Sequence, residues 1–237
     1  MKQKHNLYEF KATLKGSKTK IWRRYKIDGQ HDMVYLADAT MALFKMFPGV
    51  YLYALTYVRS SIIQTELRRL KRGANQEHKA LAEMIMLALP TFDTKYLMPC
   101  DTEENLLEAD LAPDDFTPGF VKLQDSGLKK DAELLLEYDF GDGWEVSIKV
   151  EKVEAIANTD MLPTEIIKGK GYGIIEDIGG TWGLNDYQES YEQGQVDPDI
   201  IDFFGGEEVD LTEFNLEDAI ADVKDIADNQ IYRLDFE

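Results

Sequence analysis

Apolar and polar positions alternate at the start of the chain. Tyr8, Phe10, Ala12 and Leu14 fall on one side and Glu9, Lys11 and Thr13 on the other, which predicts a half-buried strand over residues 7–14. Lys15-Gly16-Ser17-Lys18 reads as its turn. Over residues 20–27, Ile21, Arg23 and Tyr25 alternate with Trp22, Arg24 and Lys26, so an antiparallel hairpin opens the fold. The period then lengthens. Leu36, Ala39, Leu43 and Phe47 recur at helical spacing over residues 35–47, and Pro48-Gly49 supplies a stop. Aromatic, β-prone residues 51–57 return to the sheet. A second helix over residues 76–88 places Leu81, Met84, Ile85 and Ala88 on one side, whereas residues 59–72 read equally as helix or basic connector.

The sharpest pattern lies further on. Leu134, Leu136, Tyr138 and Phe140 alternate up to Gly141-Asp142-Gly143, and Trp144, Val146, Ile148 and Val150 alternate away from it. Asp142-Gly143 can take the positive dihedrals of a tight turn, so this segment is a hairpin with a large apolar inner face. Six glycines from Gly169 to Gly183 surround Ile174-Ile175-Glu176-Asp177-Ile178, a density that requires unusual backbone or close approach. Short helices fit residues 186–193 and 199–204. A clearer one follows Asn215, which can cap it, with Leu216, Ala219, Ile220, Val223 and Ala227 as its stripe. Residues 231–236 are expected to form a last strand. The predicted class is α+β: a mostly antiparallel sheet of hairpins with helices packed on it, one domain over residues 1–237. Acidic residues 101–131, with Pro113 and Pro118, form a connecting segment.

Charge changes this picture. The formal net charge of the 237 residues is −19, but residues 1–80 carry 16 Lys and Arg against 6 Asp and Glu, and residues 81–237 carry 10 against 39. The basic third is either a face for nucleic acid or another partner protein, or it packs against the acidic remainder and is neutralised there. Lys20, Trp22, Arg23 and Arg24 are the candidate contact surface. One cysteine, Cys100, allows no intramolecular disulfide and no cysteine zinc site, and no apolar run is long enough to span a membrane. A cytoplasmic protein without membrane contact is the expectation.

Candidate chemistry is acidic. Asp139 and Asp142 sit at the hairpin tip and Glu176 and Asp177 in the glycine-rich loop, and oxygen ligands of this kind can hold a hard cation. Solvent-facing turn acids need no ligand, so this is the less ordinary outcome. Three histidines, His5, His31 and His78, stand at no metal-ligand spacing, and no hydrolytic triad is in view. Lys168-Gly169-Lys170-Gly171-Tyr172-Gly173 matches no phosphate-loop spacing. The three tryptophans are expected in the core or in pocket walls.

Several motifs occur in a fixed order: Ile21-Trp22-Arg23-Arg24, Tyr51-Leu52-Tyr53, Tyr138-Asp139-Phe140-Gly141-Asp142-Gly143-Trp144 with Val150-Glu151, Glu176-Asp177-Ile178-Gly179-Gly180 with Trp182-Gly183, and the tail Leu211-Thr212-Glu213-Phe214-Asn215. In this order they resemble the plasmid pRiA4b ORF-3-like family, over about residues 7–225. The resemblance implies an α+β fold in proteins carried on plasmids, in genomes and as passengers of insertion elements, some of them labelled resolvase-like. No serine recombinase signature accompanies it. Where members often carry histidine, this chain has Ala39 or Thr40, Tyr51 and Val146. The expected function is a non-enzymatic interaction module, associated with mobile elements and using no cofactor. The alternative is a divalent-metal-dependent enzyme acting on phosphate esters or nucleic acid through Asp139, Asp142, Glu176 and Asp177.

Overall fold

The computed structural model describes residues 5–59, 63, 67, 76–87, 93–98, 117–157, 160–203 and 208–230. Its frame is one sheet. The strands are β1 (His5–Leu14), β2 (Trp22–Asp28), β3 (Tyr53–Tyr57), β4 (Thr94–Leu97), β5 (Thr117–Pro118), β6 (Glu133–Tyr138), β7 (Trp144–Ile156) and β8 (Glu165–Lys170), in the spatial order β5-β4-β3-β6-β7-β1-β2-β8. All neighbours are antiparallel except the two-residue β5, which lies parallel to β4. The class is α+β, as the periodicity predicts.

Alternation sorts the two sheet faces. Tyr8, Phe10, Ala12 and Leu14 of β1 are buried, as are Tyr25 and Ile27 of β2, Leu134, Leu136 and Tyr138 of β6, and Trp144, Val146, Ile148 and Val150 of β7. Helix α1 (Met33–Leu43) is buried at all eleven positions. A helix without a polar face must be enclosed on every side, and its Asp38 carboxylate and Thr40 hydroxyl are accordingly paired. Tyr53 donates to Asp38 Oδ1 at 2.9 Å, and Thr40 Oγ1 lies 2.6 Å from the Tyr25 hydroxyl. Asp32 caps the helix by accepting from the Tyr35 amide at 2.7 Å.

The end of α1 differs from expectation. It stops at Leu43, where Lys45 takes φ 62° and the Met46 amide returns to the Met41 carbonyl at 3.0 Å, so a left-handed C-terminal turn ends it before Pro48-Gly49 is reached. Helix α2 (Gln76–Leu87) also departs. Ala82 is buried beside Leu67, with Ile63 and Ile85 against them, while Leu81 and Met84 are exposed. The buried stripe is therefore rotated from the predicted one.

Helices α3 (Gly180–Glu192), α4 (Pro198–Phe203) and α5 (Leu216–Gln230) complete the described elements. Helix α5 is capped by Asn215 Oδ1, which accepts from the Glu217 amide at 2.9 Å, and it buries Ala219 and Val223 while leaving Leu216 and Ile220 largely exposed. The expected strand at 231–236 and most of the acidic segment, 101–116, lie outside the described residues. So does Cys100. No described helix is long and apolar enough to cross a membrane.

Candidate functional site

Strand β6 ends at Tyr138 and β7 begins at Trp144, paired across the ladder, so residues 139–143 form the tip. The positive dihedrals fall on Asp139 (φ 49°) and Gly143 (φ 66°), with Asp142 outside that region. Asp139 organises the turn. Its Oδ1 accepts from the Gly141 amide at 3.0 Å, and its carbonyl accepts from the Gly143 amide at 2.6 Å. Because the left-handed residue interrupts the alternation, Phe140 turns outward and is 58% exposed instead of joining the inner face.

The glycine-rich loop meets this tip. A Cβ on Gly180 would stand 2.3 Å from the Asp142 carbonyl oxygen, so only glycine lets the two backbones approach. Gly173 is pressed in the same way, with the Phe44 carbonyl oxygen 2.5 Å from its Cβ position. The dense glycines thus allow the loop to lie between α1 and the hairpin tip.

Side chains then lock the seam. The Tyr138 hydroxyl donates to Glu176 Oε1 at 2.8 Å, and the Phe47 amide reaches the same oxygen at 3.2 Å. Tyr51 donates to Asp177 Oδ1 at 2.7 Å, and its ring meets Tyr138 edge-on at 5.8 Å. Burial raises the Glu176 carboxyl above its ordinary value against the lowering effect of those two donors, with Asp177 and Asp139 adding repulsion. The bond to Asp177 pushes the Tyr51 hydroxyl up to about 12. Burial, and next the bond to Glu176, pushes Tyr138 further up. These two tyrosines stay protonated donors at neutral pH.

The hairpin tip and the glycine-rich loop therefore meet at Asp142 and Gly180, and Asp139 and Asp177 act on Glu176. Tyr51 and Tyr138, present in the motifs without an assigned role, and Phe47, expected in a helix stripe, complete the site. Asp142 Oδ2, Glu176 Oε2 and Trp144 Nε1 are buried along this part of the fold without a hydrogen-bond partner. Among the described residues, no three His, Cys, Asp or Glu stand close enough together to hold a metal ion. The local arrangement is a carboxylate–tyrosine latch.

The predicted basic surface is redistributed. Arg23 shares the inward parity of Ile21 and Tyr25 and is 1% exposed, which corrects its placement on a contact surface. Its Nε donates to the Leu43 carbonyl at 2.7 Å, Nη1 to the Lys170 carbonyl at 2.8 Å and Nη2 to the Tyr172 carbonyl at 2.6 Å. Phe214 and Phe44 flank the guanidinium at 4.4 and 5.1 Å. Burial without a carboxylate lowers its pKa to about 9. Arg23 thus clamps β8 and the glycine-rich loop onto the end of α1. Arg24 is outward but holds Glu151 at 2.5 and 2.8 Å, Lys26 holds Glu165 at 3.0 Å, and Lys18 bonds to Glu189. These cations of the basic third are neutralised by the acidic two-thirds. Lys20 is exposed and Trp22 half-buried. Trp144 is fully buried, as expected of a core tryptophan, whereas Trp182 is 79% exposed, which corrects its expected place in the core or in a pocket wall.

A tyrosine-latched seam between an aromatic hairpin and a glycine-rich loop joins the two most distinctive motifs of the sequence. The sequence profile of the plasmid pRiA4b ORF-3-like protein family matches residues 6–218, which includes both. The chain belongs to that family. Uncharacterized protein y4hQ of Sinorhizobium fredii is 38% identical over 68 residues, 29% of this chain and 32% of that relative. The matched stretch therefore spans about a third of that relative's length. The crystal structure of MM3350 from Methanosarcina mazei Go1, a protein of unknown function, superposes with a TM-score of 0.63 at 21% identity, covering 92% of this chain and 98% of that one. At that identity the shared property is the fold.

Proposed function

We propose that this pRiA4b ORF-3-like protein is a non-enzymatic interaction module whose contact surface is the outer side of the latched seam. The observation that carries this reading is the juxtaposition of exposed apolar side chains with carboxylates. Phe47 is 59% exposed, Val50 65% and Phe140 58%, beside the partly exposed Leu52. They belong to one neighbourhood: the Phe47 amide bonds Glu176, the Val50 amide bonds the Phe47 carbonyl at 3.2 Å, and the Asp139 amide bonds the Leu52 carbonyl at 3.0 Å. A groove of about 420 Å³ runs between Lys45, Phe47, Val50, Tyr51, Glu176 and Asp177.

Large apolar side chains held in water beside fixed acids suit a partner segment with apolar anchors flanked by Lys or Arg. The latch keeps this surface rigid, which lowers the ordering cost of binding. An enzyme would need a reacting constellation, and the half-buried Glu176, which lines the groove, has its Oε1 taken by the Tyr138 hydroxyl and the Phe47 amide.

Fluorescence anisotropy with a labelled cationic amphipathic peptide of alternating Leu and Lys segments tests this, with a polar peptide of equal charge as control. Tighter binding of the amphipathic peptide, lost in Phe47→Ser/Phe140→Ser, is the expected result. Equal affinity for the two peptides, or no effect of the double substitution, would remove the proposed surface.

A further inference from the structure

On the outward side of β2, Trp22 is surrounded by cations. The Lys11 Nζ, the Arg24 guanidinium carbon and the Lys168 Nζ lie 5.3, 5.8 and 6.0 Å from its ring centroid. The strand register explains the gathering: Lys11 of β1 and Lys168 of β8 both stand opposite Arg24, and Lys170 stands opposite Trp22 itself. Arg24 is satisfied by Glu151 and by Glu9 at 3.6 Å. Among the described residues Lys11, Lys20, Lys168 and Lys170 make no ion pair within 4 Å, although Lys11 adds to the field on Glu151. In a chain of net charge −19, Lys11, Lys168 and Lys170 around one half-buried tryptophan, with the exposed Lys20 two residues before it, are a local reversal of sign.

We infer that this face of the sheet, centred on Trp22 and bordered by Lys11, Lys20, Lys168 and Lys170, binds single-stranded nucleic acid. The charge selects a polyanion. The aromatic then selects among polyanions, because an unpaired base can stack on an indole while the lysines leave the ring for the flanking phosphates. A duplex keeps its bases stacked inside and offers the tryptophan nothing. Among the described strands β8 is an edge of the sheet, so a strand of nucleic acid crossing β1 and β2 can leave over β8 without meeting a further strand. The inference is independent of the peptide surface proposed at the hairpin tip.

The test is anisotropy of the full chain with labelled oligothymidylate of roughly 20 nucleotides. With about four lysine–phosphate contacts, affinity should fall about 50-fold between about 50 and 200 mM salt. Lys11→Glu/Lys168→Glu should weaken binding by about tenfold or more, and Trp22→Leu by about fivefold or more from lost stacking. Phe140→Ser should bind the oligonucleotide as the parent does, which separates this surface from the hairpin tip. The circular dichroism spectrum of each variant checks that it is folded. Undetectable binding at the lower salt would overturn the inference. So would equal affinity for a duplex or for polyaspartate, or a Trp22→Leu variant that is folded and binds undiminished.

Discussion

The Tyr138 hydroxyl donates to Glu176 Oε1 at 2.8 Å, joining the last residue of β6 to a loop 38 residues further along the chain. Because Tyr138 is fully buried, removing its hydroxyl leaves Glu176 less satisfied within the seam. Tyr138→Phe is expected to lose about 1–3 kcal/mol of stability, the cost of unpairing a buried polar group. Urea denaturation of the full chain measures it. A loss indistinguishable from zero would mean that water replaces the hydroxyl.

Glu176 supplies a pH dependence. Its folded carboxyl titrates above the ordinary value, chiefly because burial disfavours the charged form. Between the unfolded pKa and the raised folded one, the folded state binds more protons than the unfolded state, so stability falls as pH rises through that window. Glu176→Gln should flatten this part of the stability–pH curve, measured as the urea midpoint across the acidic range. An unchanged slope would place the effect on other acids.

His31 works in the opposite direction. Its ring stacks on Tyr35 at 3.7 Å, and burial lowers its pKa to about 4 against the attraction of Asp28. Here the unfolded state binds more protons between about 4 and the ordinary value near 6.5, so stability rises with pH across that interval and is lost as pH falls through it. His31→Phe keeps the stacked ring and should remove the dependence. Midpoints at two pH values inside the interval, for parent and variant, decide it.

How much of this was legible depends on the range of the interaction. Period-two alternation located both hairpins and their inner faces, since Tyr8, Phe10, Leu134 and Val146 each face the core that their parity predicts. Parity also held the signal for Arg23, which stands in register with Ile21 and Tyr25. Its charge suggested solvent, but the carbonyls of Leu43, Lys170 and Tyr172 that replace water come from elements about 20 and 150 residues away. Phe140 escaped its parity because one left-handed residue, Asp139, precedes it. The rotation of the α2 stripe follows from a small separate cluster around Ala82 and Leu67, which no local period specifies. Proximity of the two acidic motifs was foreseeable only as a possibility. The Tyr138 and Tyr51 latches that fix it depend on tertiary approach.

The closest of those approaches yields a paired glycine prediction. Gly180 and Gly143 both have positive φ, 67° and 66°, so an L side chain is strained at either position. Their surroundings differ. A Cβ at Gly143 meets open space, whereas at Gly180 it would stand 2.3 Å from the Asp142 carbonyl oxygen, a backbone atom that cannot swing aside. Gly143→Ala should cost about 1–2 kcal/mol, the dihedral strain alone. Gly180→Ala must add separation of the glycine-rich loop from the hairpin tip and should cost roughly twice as much or more. The separation should also reach Glu176, four residues before Gly180, and lower amide-exchange protection at Phe47, whose N–H bonds that carboxylate. Equal stability losses in the two variants, with Phe47 protection unchanged, would show that the seam accommodates a methyl group and that the glycine serves the turn alone.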